Sequence, residues 1–236
     1  MSGKCLAIIT ARGGSKRIPK KNIKEFCGKP ILAYSIEAAL ASGIFDEVMV
    51  STDSEEIAGI AKQYGAKVPF LRSEKTSGDY ATTAEVLLEV VEEYEKRGEH
   101  FDYMSCIYPT APFITAEKLK TAFELLKQKN ATLVMPVVPF SYPPQRGYIL
   151  KEEALEMKWK ENLNARSQDL ETVYHDCGQF YFYHIKKFRE KNGQVSEGIV
   201  PVILDDLEVQ DIDNETDWKL AEMKYQLLNM TQGDIG

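Results

Sequence analysis

Through its first two-thirds the chain alternates short apolar runs with longer amphipathic stretches, and this rhythm restricts the folds open to it more than any other feature. Cys5 to Ala11, Glu47 to Thr52, Lys67 to Leu71, Asp102 to Tyr108 and Thr132 to Val138 read as strands, with helices between them. Pro30 stands at the favoured first position of a helix from Ile31 to Ser42. Asp53 with Glu56, and Thr82 with Glu85, have capping-box spacing; the first box starts a helix ending near Gly65, the second a long helix ending at Arg97-Gly98. Thr115 with Lys118 onward opens another. Repeated strand–helix units set strands side by side with helices on both faces, so the expectation is α/β with a mostly parallel sheet. With 236 residues and 44% hydrophobic content, one domain over residues 1–236 has material for a full-sized core.

The rhythm breaks at Pro136, Pro139, Pro143 and Pro144. Arg146 to Leu150 and Leu155 to Trp159 then flank a Lys-Glu-Glu turn and read as a β-hairpin projecting from the sheet, within an arm at about residues 140–170. The sheet resumes at Gly178 to His184 and Ile199 to Leu204. A closing helix over Asn214 to Asn229 offers Trp218, Leu220, Ala221, Tyr225 and Leu228 as apolar faces.

Directly behind the first strand, ARGGSKRIPKKNIK carries six cations (Arg12, Lys16, Arg17, Lys20, Lys21 and Lys24) and no acid, in a chain of net charge −7. Gly13 and Gly14 allow a sharp turn that brings backbone N–H groups close to an anion, and Lys and Arg add mobile or forked charge. A loop leaving the carboxyl end of the first strand is where α/β sheets bind nucleotides. GGSKRI is neither a P-loop nor GxGxxG, so the spacing alone leaves polyphosphate binding beside a solvated basic loop. The overall acidity argues against nucleic acid or an anionic membrane as partner. No apolar stretch approaches ~20 residues, and the first strand starts without a signal-peptide pattern. Cys5, Cys27, Cys106 and Cys177 have no metal spacing, and reduced cysteines fit a cytoplasmic protein.

The segment from Ala11 to Asn22 resembles the signature of the CMP-sugar synthetases for nine-carbon 2-keto acids, the acylneuraminate cytidylyltransferase family. The resemblance continues through GKPILAYSIEAA, FDEVMVSTD, IYPTAP and the DID at 211–213, spanning nearly the whole chain. It implies a Rossmann-like nucleotidyltransferase sheet of the glycosyltransferase-A-like kind and an arm that makes a homodimer and leans over the partner's sugar site. It also implies CTP and a nonulosonic acid as substrates, with Mg2+ as cofactor. Asn22 counts against the branch acting on the eight-carbon keto sugar, which usually shows Lys-Pro-Leu there.

By the same resemblance Arg12 and Lys21 hold the triphosphate, and Ala11, Gly13, Gly14, Ser15 and Asn22 belong to the nucleotide pocket. Fixed cations suit this task because transfer at an α-phosphate needs its charge neutralised as pyrophosphate leaves. Arg72 either approaches cytosine or pairs with Glu74. Asp79, Thr82 and Thr83 match the segment near the ribose, one threonine being free to cap the next helix. Asp211 and Asp213 are two apart in an extended segment and can face one magnesium; alternatively Asp213 or Asn214 caps the last helix. Asp211 is assigned to catalysis with Arg12 and Lys21, as metal ligand or as general base.

Two blocks select the sugar. RSQDL at 166–170 and YHDCGQFY at 174–181 resemble the cytidylyltransferases for pseudaminic acid, where sialic acid synthetases show Arg-Pro-Asn-Gly-Ala at the second block. Cys177 and Phe182 stand where that branch usually has Ala and Trp, and Tyr108 where many members of the wider family have Gln. Arg166 suits the sugar carboxylate because a guanidinium fork matches it. Tyr108, Gln179 and Tyr181 are expected at the sugar, as is His175 in a binding role. Sialic or legionaminic acid is the second substrate reading, and a non-catalytic nucleotide-binding regulator the remote one.

Overall fold

The computed structural model describes residues 3–233. In chain order its elements are β1 (Cys5–Thr10), β2 (Glu25–Phe26), β3 (Lys29–Pro30), α1 (Ile31–Ser42), β4 (Glu47–Ser51), α2 (Glu55–Gln63) and α3 (Glu74–Ser77). Then follow α4 (Thr83–Lys96), β5 (Tyr103–Ile107), α5 (Ala116–Gln128), β6 (Leu133–Pro139), β7 (Tyr148–Lys151), β8 (Ala154–Met157) and β9 (Tyr174–Asp176). β10 (Phe180–His184), α6 (Ile185–Glu190), β11 (Ile199–Ile203) and α7 (Glu215–Gly233) complete the chain.

The main sheet has the order β11-β6-β10-β5-β1-β4, with β9 on the far part of β6. β1, β4, β5, β6 and β11 run one way, while β9 and β10 run against them. The mostly parallel sheet is therefore present, with one antiparallel strand set into its middle. The reason lies in the path of the chain. The chain leaves for the arm at the carboxyl end of β6, returns at that same end, and can re-enter the sheet only by running backwards. The ends of β1, β4 and β5 thereby gather on one edge, where the order of an open α/β sheet leaves a crevice.

The central strands are buried on both faces, as their continuous apolar runs require. Leu32, Ile36, Leu119 and Phe123 pack on one side of the sheet, and Leu87, Val90 and Tyr94 on the other. A third cluster joins Phe26, Tyr34, Phe113 and Trp218 to two residues from charged segments, Ile18 and Ile212, both fully buried. Burying each such side chain contributes about 1.5–3 kcal/mol, and here it clamps the basic loop against the Asp211–Asp213 segment.

Two local expectations are corrected. Lys67 to Leu71 is not a strand: only an isolated bridge from Lys67 to Met49 forms, because Pro69 has no N–H to continue the ladder. Ser54, not Asp53, caps α2, accepting the Ile57 N–H at 3.4 Å. The second box is as expected, with Thr82 and Glu85 reciprocally bonded, and Thr115 caps α5. The hairpin β7–β8 forms inside the expected arm. Among the described residues no helix is long and apolar enough to cross a membrane.

Candidate functional site

The Ala11 N–H donates to Ser51 O at 2.9 Å, which extends the β1–β4 ladder and leaves Ala11 buried as a support beneath the pocket. Beyond it the loop is shaped by its own polar groups. Asp53 accepts the Gly13 N–H at 2.7 Å, and buried Asn22 donates from Nδ2 to the Arg12 carbonyl at 2.8 Å, closing the loop on itself. Asn22 is thus a strut of the basic loop as well as part of the cleft lining.

A cleft of about 490 Å³ opens above the strand ends. It is lined by Arg12, Gly14, Ser15, Lys16, Arg17, Lys21, Asn22, Arg72, Asp79, Thr83, Tyr108 and Asp213, with Ile18, Thr76, Val86 and Thr110. Each loop cation carries a carboxylate. Arg12 pairs with Asp79 at 2.9 Å and Lys16 shares that carboxylate; Arg17 reaches Asp213 at 3.0 Å and Lys21 at 3.8 Å. Lys20 turns to Glu56 at 2.7 Å and Lys24 to Glu215 at 2.9 Å, both outside the cleft. The six cations thus divide into four on the cleft and two surface pairs.

Lys21 is held most firmly. Its Nζ donates to the Ile212 carbonyl at 2.7 Å, and loss of hydration pushes the ammonium pKa down against the pull of Asp213 and Asp211. Arg72 is fixed to the end of β4, donating to Ser51 Oγ at 3.1 Å and Ser51 O at 2.8 Å; its ion-pair alternative with Glu74 is not formed. Thr82 is used as the cap of α4, which leaves Thr83 to the cleft.

Asp79 sits on Arg12 and Lys16 instead of standing apart beside a sugar. Those cations, Lys16 first, hold its carboxyl below the usual range. An anion entering the loop must displace it. Asp79→Asn is therefore expected to tighten binding of inorganic tripolyphosphate about two- to tenfold, the scale of one or two exposed pairs. Calorimetry checks this; weaker binding makes Asp79 a positioner of Arg12 instead of a competitor.

On the far wall the Tyr108 N–H donates to Gln179 O at 2.8 Å, and the Tyr108 ring lies 5.5 Å from that of Tyr181. The Tyr181 hydroxyl donates to both oxygens of Asp176, at 2.8 and 2.7 Å. Gln179 is buried and donates to the Glu208 carbonyl at 2.8 Å, away from the cleft lining. His175 is exposed, with Nδ1 2.9 Å from the Asp176 carbonyl oxygen and its ring 4.7 Å from Phe140. Arg166 is exposed at the base of the arm in an ion pair with Asp169 at 2.8 Å. The structure brings Arg12, Gly14, Ser15, Lys21, Asn22, Arg72, Asp79 and Thr83 onto one cleft with Tyr108 and Asp213, while Ala11 is buried beneath it, Gly13 gives its N–H to Asp53 and Thr82 caps α4. Arg166 and His175 stay on the surface of the arm and its return strand.

Asp211 enters no ion pair among the described residues, whereas Asp213 is shared by Arg17 and Lys21. Withdrawal from water and the charge of Asp213 lift the Asp211 carboxyl, with Lys21 opposing. Two hard-oxygen groups that repel one another are a donor set suited to a divalent cation whose shell is completed by phosphate. The last helix is capped by Asn214, one of the two caps expected: its side chain accepts the Thr216 N–H at 2.8 Å and the Asp217 N–H at 3.1 Å, which leaves the Asp213 carboxylate out of the cap, while Asp217 accepts the Asp213 N–H at 2.9 Å. Sequence reading missed Ile18 and Ile212, for which a lone apolar residue inside a charged run was the available signal; Asp176 and Gly178 lie in the second sugar block, where Gly178 had no role of its own.

Comparison with known proteins agrees with this geometry. Residues 6–202 match the family model described as cytidylyltransferase. A pseudaminic acid cytidylyltransferase of Campylobacter jejuni subsp. jejuni serotype O:2 is 41% identical over 225 residues, covering 95% of this chain and 97% of its own. A CMP-N,N'-diacetyllegionaminic acid synthase of Legionella pneumophila is 35% identical over 233 residues, covering 94% and 96%. Among solved structures, a CMP:2-keto-3-deoxy-manno-octonic acid synthetase complexed with CTP superposes with a TM-score of 0.68 at 17% identity, covering 96% of this chain and 99% of that one, which speaks to the fold.

Proposed function

Since this chain belongs to the cytidylyltransferase family, we propose that it joins CTP to a nonulosonic acid, specifically pseudaminic acid, giving the CMP-sugar and pyrophosphate. The observation that carries the reading is the convergence of Arg12, Lys16, Arg17 and Lys21 on one cleft that ends at Tyr108 and Asp213. The cations suit a triphosphate, and the polar far wall suits a sugar.

In this reading the anomeric hydroxyl oxygen of the sugar forms a bond to the α-phosphorus as the α–β anhydride bond breaks. Arg12 and Lys21 take up the charge of the departing pyrophosphate. Arg72 and Thr83, with Gly13, Gly14 and Ser15, hold the nucleoside and its phosphates. Asp211 and Asp213 are the residues to hold magnesium, which when bound draws charge from the α-phosphate and acidifies a coordinated hydroxyl. The alternative role for Asp211 is that of the base that accepts the hydroxyl proton. Tyr108 and Tyr181 face the sugar, and Arg166 reaches its carboxylate once released from Asp169.

The arm exposes Tyr142 (88%), Leu150 (67%), Leu155 (67%) and Leu163 (61%), more apolar surface than a hairpin keeps in water without cause. A second copy of the chain is the proposed cover, giving a homodimer.

The test is pyrophosphate release from CTP that requires an added nonulosonate, with mass spectrometry for the CMP-sugar. Arg12→Ala and Lys21→Ala are each expected to cut that turnover by roughly a hundredfold, the scale of one lost transition-state contact. Near-normal turnover in either folded variant removes that residue from the phosphate site.

A further inference from the structure

Beside the cleft, between Tyr108, which lines it, and Asp211, the chain presents bare backbone at Gly178. Gly178 has φ +62°, and a Cβ built on it lies 3.8 Å from Asp211 Oδ1 and 4.0 Å from Tyr108 Cε2. One methyl group would span the gap from carboxylate to ring without overlap, and glycine leaves that gap open.

The turn carrying Gly178 is held from three sides. Buried Cys177 donates its N–H to the Pro136 carbonyl at 3.3 Å, on β6. The Gly178 N–H donates to Asp176 Oδ1 at 2.8 Å, and the Gln179 carbonyl accepts the Tyr108 N–H at 2.8 Å, at the end of β5. Asp176 has a second task, since it also accepts the hydrogen bond of the Tyr181 hydroxyl. A tyrosine has one such proton, so the Tyr181 oxygen presents only acceptor capacity to other groups, Tyr108 among them. One carboxylate thus sets both the shape of the turn and the hydrogen-bonding sense of the floor beside it.

We propose that Gly178 is a specificity-determining residue, whose open gap receives the sugar carbon bearing the attacking hydroxyl against Asp211, and that Asp176 is the positioning residue that keeps this gap and the Tyr181 hydroxyl in register. The proposal rests on the reaction given above. In-line attack demands contact between the hydroxyl and the α-phosphorus, and a methyl in the gap displaces the acceptor by about its own width. CTP lies along the basic loop and does not use the gap, so the two substrates respond differently.

The experiment compares Gly178→Ala and Asp176→Asn with the unmodified chain, using CTP, magnesium and a panel of pseudaminic, legionaminic and N-acetylneuraminic acids. Calorimetry is expected to find CTP affinity within about threefold in both variants, while the sugar KM rises on the order of tenfold and the KM for CTP holds. The left-handed backbone lowers the melting temperature of Gly178→Ala by about 2–8 °C, which leaves it folded at assay temperature. Asp176→Asn keeps the shape of the side chain and carries no such strain. An unchanged sugar KM in both folded variants overturns the proposal, as does an equal rise in both KM values, the mark of a purely structural role. If the unmodified chain turns over another acid of the panel and not pseudaminic acid, the substrate reading fails, and the KM comparison on that acid still decides the proposal.

Discussion

Asp211→Asn is expected to lower turnover by on the order of a thousandfold while CTP affinity stays within about tenfold. The asymmetry follows from where the charges sit. Arg12, Lys16, Arg17 and Lys21 line the cleft and supply most of the attraction for a triphosphate, so one carboxylate fewer at its end changes ground-state binding little. Asp211 lies beside the gap at Gly178, where the acceptor hydroxyl would enter, and an amide can neither take its proton nor bind magnesium as a carboxylate does. Stability should move the other way. The folded-state pKa of Asp211 is raised above its ordinary value, by desolvation first and the charge of Asp213 second. A carboxyl with a raised folded pKa costs stability once ionised, so its contribution is best below the unfolded pKa and worsens as pH rises through the raised value. Asp211→Asn removes that cost, and its melting temperature at neutral pH should match or exceed that of the unmodified chain. Retained turnover would reduce Asp211 to a structural element ahead of the last helix; a melting temperature well below the parent would contradict the cost of ionisation assigned to it.

The same contrast explains what the sequence could and could not reveal. The basic loop was legible because its cues are adjacent in the chain: an apolar run, two glycines, then charge. The caps at Thr82 and Thr115 were legible for the same reason. Asp53 has the spacing of a cap but is drawn off by the Gly13 N–H, a partner forty residues away that no local pattern records. Lys67 to Leu71 has strand composition, and the single missing donor of Pro69 outweighs it. The direction of β10 depends on the path by which the arm returns, which is a tertiary fact. Gln179 illustrates the limit at the site itself. Its motif neighbours suggested a sugar contact; its Nε2 is used on the Glu208 carbonyl inside the fold, and beside it the Tyr181 hydroxyl is committed to Asp176. A motif identifies which segment matters; the distribution of roles within it is set by packing.

The largest expected effect is in the choice of sugar. With CTP and magnesium held constant, the chain is expected to favour pseudaminic acid over N-acetylneuraminic acid by on the order of ten-thousandfold in kcat/KM. The two acids share the carboxylate and the anomeric hydroxyl, so Arg166 and Asp211 treat them alike. They differ in stereochemistry and in the groups at C7 and C9; with the reacting carbon at the Gly178 gap as proposed, those groups would extend along Tyr108 and Tyr181. This wall of the site is polar but rigid. Tyr181 is tied to a carboxylate, Tyr108 is tied to the Gln179 backbone, and Gly178 admits a close approach that a displaced ring cannot use. A site of this kind discriminates by leaving its own donors and acceptors unpaired when the wrong substituent arrives, which is far more costly than a missing apolar contact. Progress curves with each acid alone, and then in competition, measure the ratio. Equal or better use of N-acetylneuraminic acid would mean that the wall does not read these positions, and would move the substrate assignment to the sialic acid branch while leaving the cytidylyl transfer chemistry of Arg12, Lys21 and Asp211 as proposed.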